Sequence, residues 1–233
     1  MRALRIGLIL LIVLGGLFVA ADRVAVRLAE GEVASKARSG LGLEREPEVS
    51  VNGFPFLTQL AGGSLDHVEL RLEDYRLTVD GETATVREFA LDLRDVDLGD
   101  GYSRAVAREV GGGAVLDYSE ATKIINDDRV TGIAYGGDGR IDVTLRISVA
   151  GISLERSVPA DLTLEGNTLQ VRVIELPELP SVPGVDIEEY LNRMLDIDRE
   201  LTGLPSGLEL KDVSAGEDGV RLGVTGSGVS LTG

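Results

Sequence analysis

The chain has 233 residues, no cysteine, a single histidine, 4% aromatic residues and a formal net charge of −16. That length favours one large domain, and the missing thiols exclude a disulfide framework, a thiolate metal site and acylation at a lipobox cysteine. The acidity makes nucleic acid a poor partner.

Arg2 and Arg5 precede Ile6 to Ala21, an unbroken apolar run of 16 residues that ends at Asp22. At about 1.5 Å per residue it covers roughly 24 Å, less than the ~30 Å hydrocarbon core, so residues 1–21 read as a signal peptide or membrane anchor. Val19-Ala20-Ala21 offers a small-residue cleavage site. The basic flank places the N-terminus in the cytoplasm and residues 22–233, read as one α+β domain, outside it. Without residues 1–21 the charge is −18, since only Arg2 and Arg5 are lost from −16. No Lys or Arg cluster offers a dock for anionic headgroups, so any lipid would be held mainly by apolar contact.

From Asp22 to Leu41 the small or apolar residues Val26, Ala29, Val33, Ala37 and Leu41 recur at helical steps and predict a seam packed on a sheet. Then comes Asn52-Gly-Phe-Pro-Phe-Leu-Thr-Gln-Leu60, which holds two of the four Phe residues. Pro55 fixes its own φ and pushes Phe54 toward an extended conformation, so a stiff, non-helical segment is expected to carry Phe54 and Phe56. Two uses stay open for these rings: plugging one end of a core, or lining the mouth of an apolar groove.

The period then changes to two. Val68, Leu70 and Leu72 alternate with charged residues, and Tyr75, Leu77 and Val79 continue on the opposite parity, which predicts a bulge or sharp bend at Glu73-Asp74. Phe89, Leu91 and Leu93 give way to Val96 and Leu98 in the same manner across Arg94-Asp95, and Asp80-Gly81 signals the turn between the two strands. Gly111-Gly112-Gly113 reads as an interruption, followed by a short helix from Ser119 to about Asn126 capped by Asp117 or Ser119. Alternation resumes at Ile141–Val149, Ile152–Leu164 and Thr168–Glu175. A Pro-rich connection at Leu176–Gly184 leads to a helix from Asp186, whose face holds Ile187, Tyr190, Leu191, Met194 and Leu201 and which Gly203 and Pro205 end. Leu208–Val213 and Val220–Val229 are the last strands. The order is α+β: long bent antiparallel strands wrapped around amphipathic helices.

Catalytic signals are sparse. His67 has no Gly-x-Ser-x-Gly elbow to serve, and zinc would need more nitrogen or sulfur ligands than one His supplies. Asp95, Asp97 and Asp100 depart from calcium-loop spacing, the triglycine lacks the Lys-Ser/Thr of a phosphate loop, and nothing singles out a carboxylate pair. No cofactor, metal site or catalytic residue is expected, and a binding module is favoured over an enzyme. A scaffold for other enzymes and a carboxylate-based hydrolase are the alternatives.

The Gly53-Phe-Pro-Phe-Leu-Thr-Gln59 run, flanked by Pro47-Glu-Val-Ser-Val51 and Ala61-Gly-Gly-Ser-Leu-Asp-His-Val-Glu-Leu70, resembles the hallmark of the LmeA-like phospholipid-binding family of actinobacterial cell-envelope proteins. Ala21-Asp-Arg23, Asp117-Tyr-Ser119 and Leu204-Pro-Ser-Gly-Leu208 fit the same resemblance. It implies an extracytoplasmic protein on the outer side of the cytoplasmic membrane with a TULIP-like elongated fold. Such a protein binds phospholipid and, in its best-known relatives, supports mannan elongation on lipoglycans. Phospholipid and the outer surface of the cytoplasmic membrane are the expected partners, and envelope glycosyltransferases are those of the scaffold alternative. Phe54, Phe56, Leu57 and Leu60 become the expected lipid-binding residues.

Overall fold

The computed structural model describes residues 2–41, 43–79, 82–102, 104–149, 152–174, 197–201 and 207–231. The fold is α+β and mostly strand, with two antiparallel sheets. The first has the order β1-β2-β3-β4-β11-β10 and the second β5-β6-β7-β8-β9. The first sheet's members are β1 (Glu48–Asn52), β2 (Ser64–Val79), β3 (Glu82–Gly99), β4 (Arg104–Leu116), β10 (Leu208–Gly216) and β11 (Gly219–Ser230). The second comprises β5 (Val130–Gly137), β6 (Arg140–Val149), β7 (Ile152–Glu165), β8 (Thr168–Val173) and β9 (Ile197–Glu200). Helices α1 (Arg2–Leu41), α2 (Phe56–Gly62) and α3 (Tyr118–Ile125) complete the described elements, with a 3-10 turn at Asp100–Tyr102.

Two compact units divide the chain. The first holds residues Met1–Leu72, Leu91–Val110 and Ser227–Gly233, the second Glu73–Ala90 and Gly111–Gly226.

In the first unit α1 packs on β1 and α2, with Val26 and Ala34 buried. The seam differs from the expected one, because Val33 is exposed and Asp22 and Glu30 stand in line with Val26 and Ala34. The reason lies in the surface that α1 covers. β1 is a sheet edge with free backbone donors, and Glu30 accepts the Val51 N–H at 2.8 Å, closing an edge that would otherwise invite another strand. Oxygen-bearing side chains are needed there, so an apolar-only pattern misplaces the face.

In the second unit, Ile141, Val143 and Leu145 of β6 pair in register with Ala160, Val158 and Arg156 of β7. Val171 of β8 stands opposite Leu162 of β7 and Ile197 of β9. β10 packs against β5, β6 and β7, and α3 against β5. The bonds of Tyr118 Oη to the Gly216 carbonyl (2.6 Å) and of the Thr85 N–H to Glu120 (2.9 Å) fix α3.

The parity switches coincide with left-handed residues: Asp74 has φ +53° and Asp95 φ +48°, each inside its strand. Both are Asp, whose short polar side chain tolerates this region better than most. Two expectations need correction. The triglycine does not interrupt the chain but lies within β4, where a Cβ on Gly113 would stand 2.9 Å from the Leu222 carbonyl, so glycine admits the close approach of β11. Residues 197–200 form a strand paired with β8 instead of extending the Asp186 helix; cross-strand pairing overrides local helical spacing there. The Pro-rich connection, the rest of that helix and the Asp80-Gly81 turn lie outside the described residues.

Candidate functional site

The Asn52–Leu60 stretch forms a corner of the first unit between β1 and α2. Gly53 has φ +103°, and a Cβ there would lie 2.3 Å from Gln59 Nε2, so the Gln59 side chain folds across a space that only glycine leaves open. Gln59 Oε1 accepts the Asp66 N–H at 2.8 Å, fastening α2 to the start of β2. The Phe54-Pro55 peptide is cis, and Pro55 precedes the first helical residue, Phe56. Phe56 thus begins a helix, which corrects the expectation of a non-helical segment under both rings: Phe54 and Pro55 precede the helix, Pro55 with extended backbone, and proline is well suited to the entrance of a helix.

The two rings have opposite surroundings. Phe56 is 2% exposed and belongs to the core, whereas Phe54 is 59% exposed. Leu57 and Leu60 are half-buried. The Arg23 guanidinium sits 5.3 Å from the centroid of the Phe54 ring, within cation–π range. Tyr102, itself 60% exposed, donates its hydroxyl to the Leu60 carbonyl at 3.3 Å.

Asp22 holds the corner to α1. Its side chain is fully enclosed, and its carboxylate accepts the Leu57 N–H at 2.8 Å and the Arg23 guanidinium at 2.6 Å. The first amides of a helix lack intrahelical partners, and here a carboxylate from another helix supplies one. At the other end, Gly63 closes α2 in the left-handed region and its carbonyl accepts the Leu98 N–H at 2.8 Å. Sequence reasoning gave Asp22, Arg23, Glu30 and Tyr102 no role. The available signal was the placement of Asp22 and Glu30 on the face of Val26 and Ala34.

Among the described residues, one group of three metal-competent side chains converges, His67, Glu69 and Asp92, with ligand atoms within 4.8 Å of one another. His67 Nε2 lies 2.9 Å from Asp92 and 3.8 Å from Glu69. Arg94 engages Asp92, while Asn52 and Arg71 engage Glu69. Two guanidiniums already neutralise the carboxylates, so the group reads as an ion-pair network on the polar face of β2 and β3. Despite the cost of partial burial, the His67 and Arg94 contacts hold the Asp92 carboxyl below the usual carboxylate range. Of the three acids weighed for calcium, Asp97 is bound by Arg108 at 2.8 Å and Asp100 by Arg104 at 3.5 Å.

The fold is that of a strand-rich α+β protein with an apolar N-terminal helix, whose residues 2–21 are all exposed. The helix is long and apolar enough to cross a membrane. The LmeA-like phospholipid-binding family matches residues 20–225, and the chain belongs to that family. Comparison with curated proteins and with solved structures returns no significant match.

Proposed function

We propose that the chain is an extracytoplasmic phospholipid-binding protein of the cell envelope, held at the outer face of the cytoplasmic membrane by α1, that takes acyl chains by apolar contact without covalent chemistry. The observation that carries this reading is the hydrogen-bonded corner offering apolar surface. Phe54, Leu57 and Leu60 present it, while Phe56, Gln59 and Asp22 fix the backbone beneath. In this reading Phe56 serves lipid binding by holding its neighbours in place. Family membership supports phospholipid as the ligand.

The protein would support lipoglycan mannan elongation by presenting or withdrawing phospholipid near envelope glycosyltransferases, and its long antiparallel strands suit a TULIP-like lipid-binding architecture. A lone histidine committed to two carboxylates supports binding over catalysis.

The test is mass spectrometry of lipid that co-purifies with the chain beginning at Asp22. Phospholipid in stoichiometric amount is expected, with an affinity that hardly changes between low and physiological salt, because screening weakens only electrostatic attraction. Recovery no greater than for an unrelated exported protein prepared in parallel sinks the proposal.

A further inference from the structure

The exposed apolar face of α1 continues past its uninterrupted apolar run. Leu17, Ala21, Val24 and Leu28 follow at steps of four, three and four on one helical face, and Leu17, Val24 and Leu28 are exposed. The run from Ile6 to Ala21 itself is short: 16 residues cover roughly 24 Å, about 6 Å less than the ~30 Å hydrocarbon layer. If the basic end at Arg2 and Arg5 stays at the inner surface, the outer hydrocarbon boundary falls about four residues beyond Ala21. Arg23 lies inside that interval, and the Phe54 ring stacks on Arg23.

We propose that the corner around Phe54 docks on the bilayer itself, with the Phe54 and Tyr102 rings in the headgroup–acyl boundary of the membrane that α1 enters. This rests on the reading of α1 as a membrane anchor. Aromatic side chains favour that boundary, and an Arg there can keep its stem in the apolar layer while its guanidinium reaches lipid phosphate. Asp22 is the positioning residue. By binding the Leu57 amide from the first turn after the apolar run, it fixes the corner at the depth where the run ends. With Arg2 and Arg5 left out of −16, the domain carries −18, which would repel the rest of it from an anionic surface and leaves apolar contact at this corner as the adhesive term. The short run then has a use: the bilayer's excess thickness is met by the domain's own apolar corner.

The chain has no tryptophan, so one introduced indole reports its own surroundings. Full-length Phe54→Trp is reconstituted in phosphatidylcholine vesicles whose acyl chains carry bromine near the headgroup end, mid-chain or near the methyl end. Emission loss should be largest with bromine near the headgroup end and smallest near the methyl end. Full-length Leu14→Trp, measured alongside, should be quenched most by the deeper bromines. Adding Asp22→Asn to Phe54→Trp should relieve the shallow quenching, while the same change leaves the Leu14→Trp signal unaltered. An indole at 54 that emits alike with and without bromine, while the one at 14 is quenched, overturns the docking proposal and leaves the membrane anchor standing. Absence of quenching at both positions overturns the anchor as well, whereas lipid recovery by mass spectrometry can fail with the quenching pattern intact.

Discussion

In the five-stranded sheet, enclosure is achieved by apolar side chains at every second position: Ile141, Val143, Leu145, Val158, Ala160 and Val171 are all buried. In the corner between β1 and α2, much of the same work falls to polar groups. Asp22 binds a helix amide, Glu30 a strand amide and Gln59 the entrance to β2, around a single enclosed ring at Phe56. A closed sheet interior has few spare backbone donors and can be filled with hydrocarbon. A corner made of a sheet edge and a helix start has several, and a buried donor without a partner costs about 1–3 kcal/mol. Acidic and amide side chains answer that need, so part of this chain's acidity is structural.

The largest effects test whether the corner is a packed core at all. Phe56→Ala should destabilise its unit by about 3–5 kcal/mol and Ile141→Ala in the sheet by about 2–5 kcal/mol, as expected for deleting enclosed apolar groups. Phe54→Ala should stay within about 0.5 kcal/mol of the parent, being an exposed substitution. Urea denaturation of the three variants decides the point. Equal losses at positions 54 and 56 would erase the distinction between presented and enclosed rings.

Next in size is Gly53→Ala. The backbone at φ +103° resists any side chain, and the added Cβ would run into Gln59, so a loss of about 1–3 kcal/mol is expected. The two causes can be separated. Gln59→Ala in the same chain removes the collision but not the backbone strain, so the double variant should recover only part of the difference in thermal stability. Full recovery would mean that the conformation at residue 53 imposes nothing.

The same contrast explains what could be read beforehand. Strands β6, β7 and β8 were legible because alternation is the direct imprint of a two-faced sheet, and the bends at Asp74 and Asp95 because a parity switch has few other causes. Strand β1 went unannounced: its five residues are too few for periodicity to register. The β4 strand was hidden by its triglycine, since the space a side chain would use is taken by a neighbouring backbone, which no pattern of the strand itself reveals. At the corner, the Phe-Pro-Phe run marked the place, but the difference between its two rings came from the fold. Asp22 and Glu30 share the helix face of Val26 and Ala34, which marks them as facing a neighbour, but only the partner surface identifies them as ligands of backbone amides.

The smallest effect concerns an acid that binds a neighbouring cation and should behave differently from these amide-binding ones. Asp127, two residues past the end of α3, accepts the Arg129 guanidinium at 2.8 and 2.5 Å and the Arg129 N–H at 3.0 Å. Its pair with Arg129 keeps the carboxyl below the ordinary range, and partial burial opposes this only in part. A carboxyl whose folded value is depressed adds stability above its unfolded value, near 3.9, and loses that contribution as pH falls through the folded value. Asp127→Asn retains an oxygen for the amide but not the charge, and because the pair is partly solvated the loss should stay under about 1 kcal/mol. The difference in melting temperature between parent and variant should be constant from about pH 5 to 7 and should close below about pH 4. A gap that persists or widens in acid would mean that the carboxylate's charge is not its source, and that Asp127, like Asp22 and Glu30, acts mainly as an oxygen for a backbone donor.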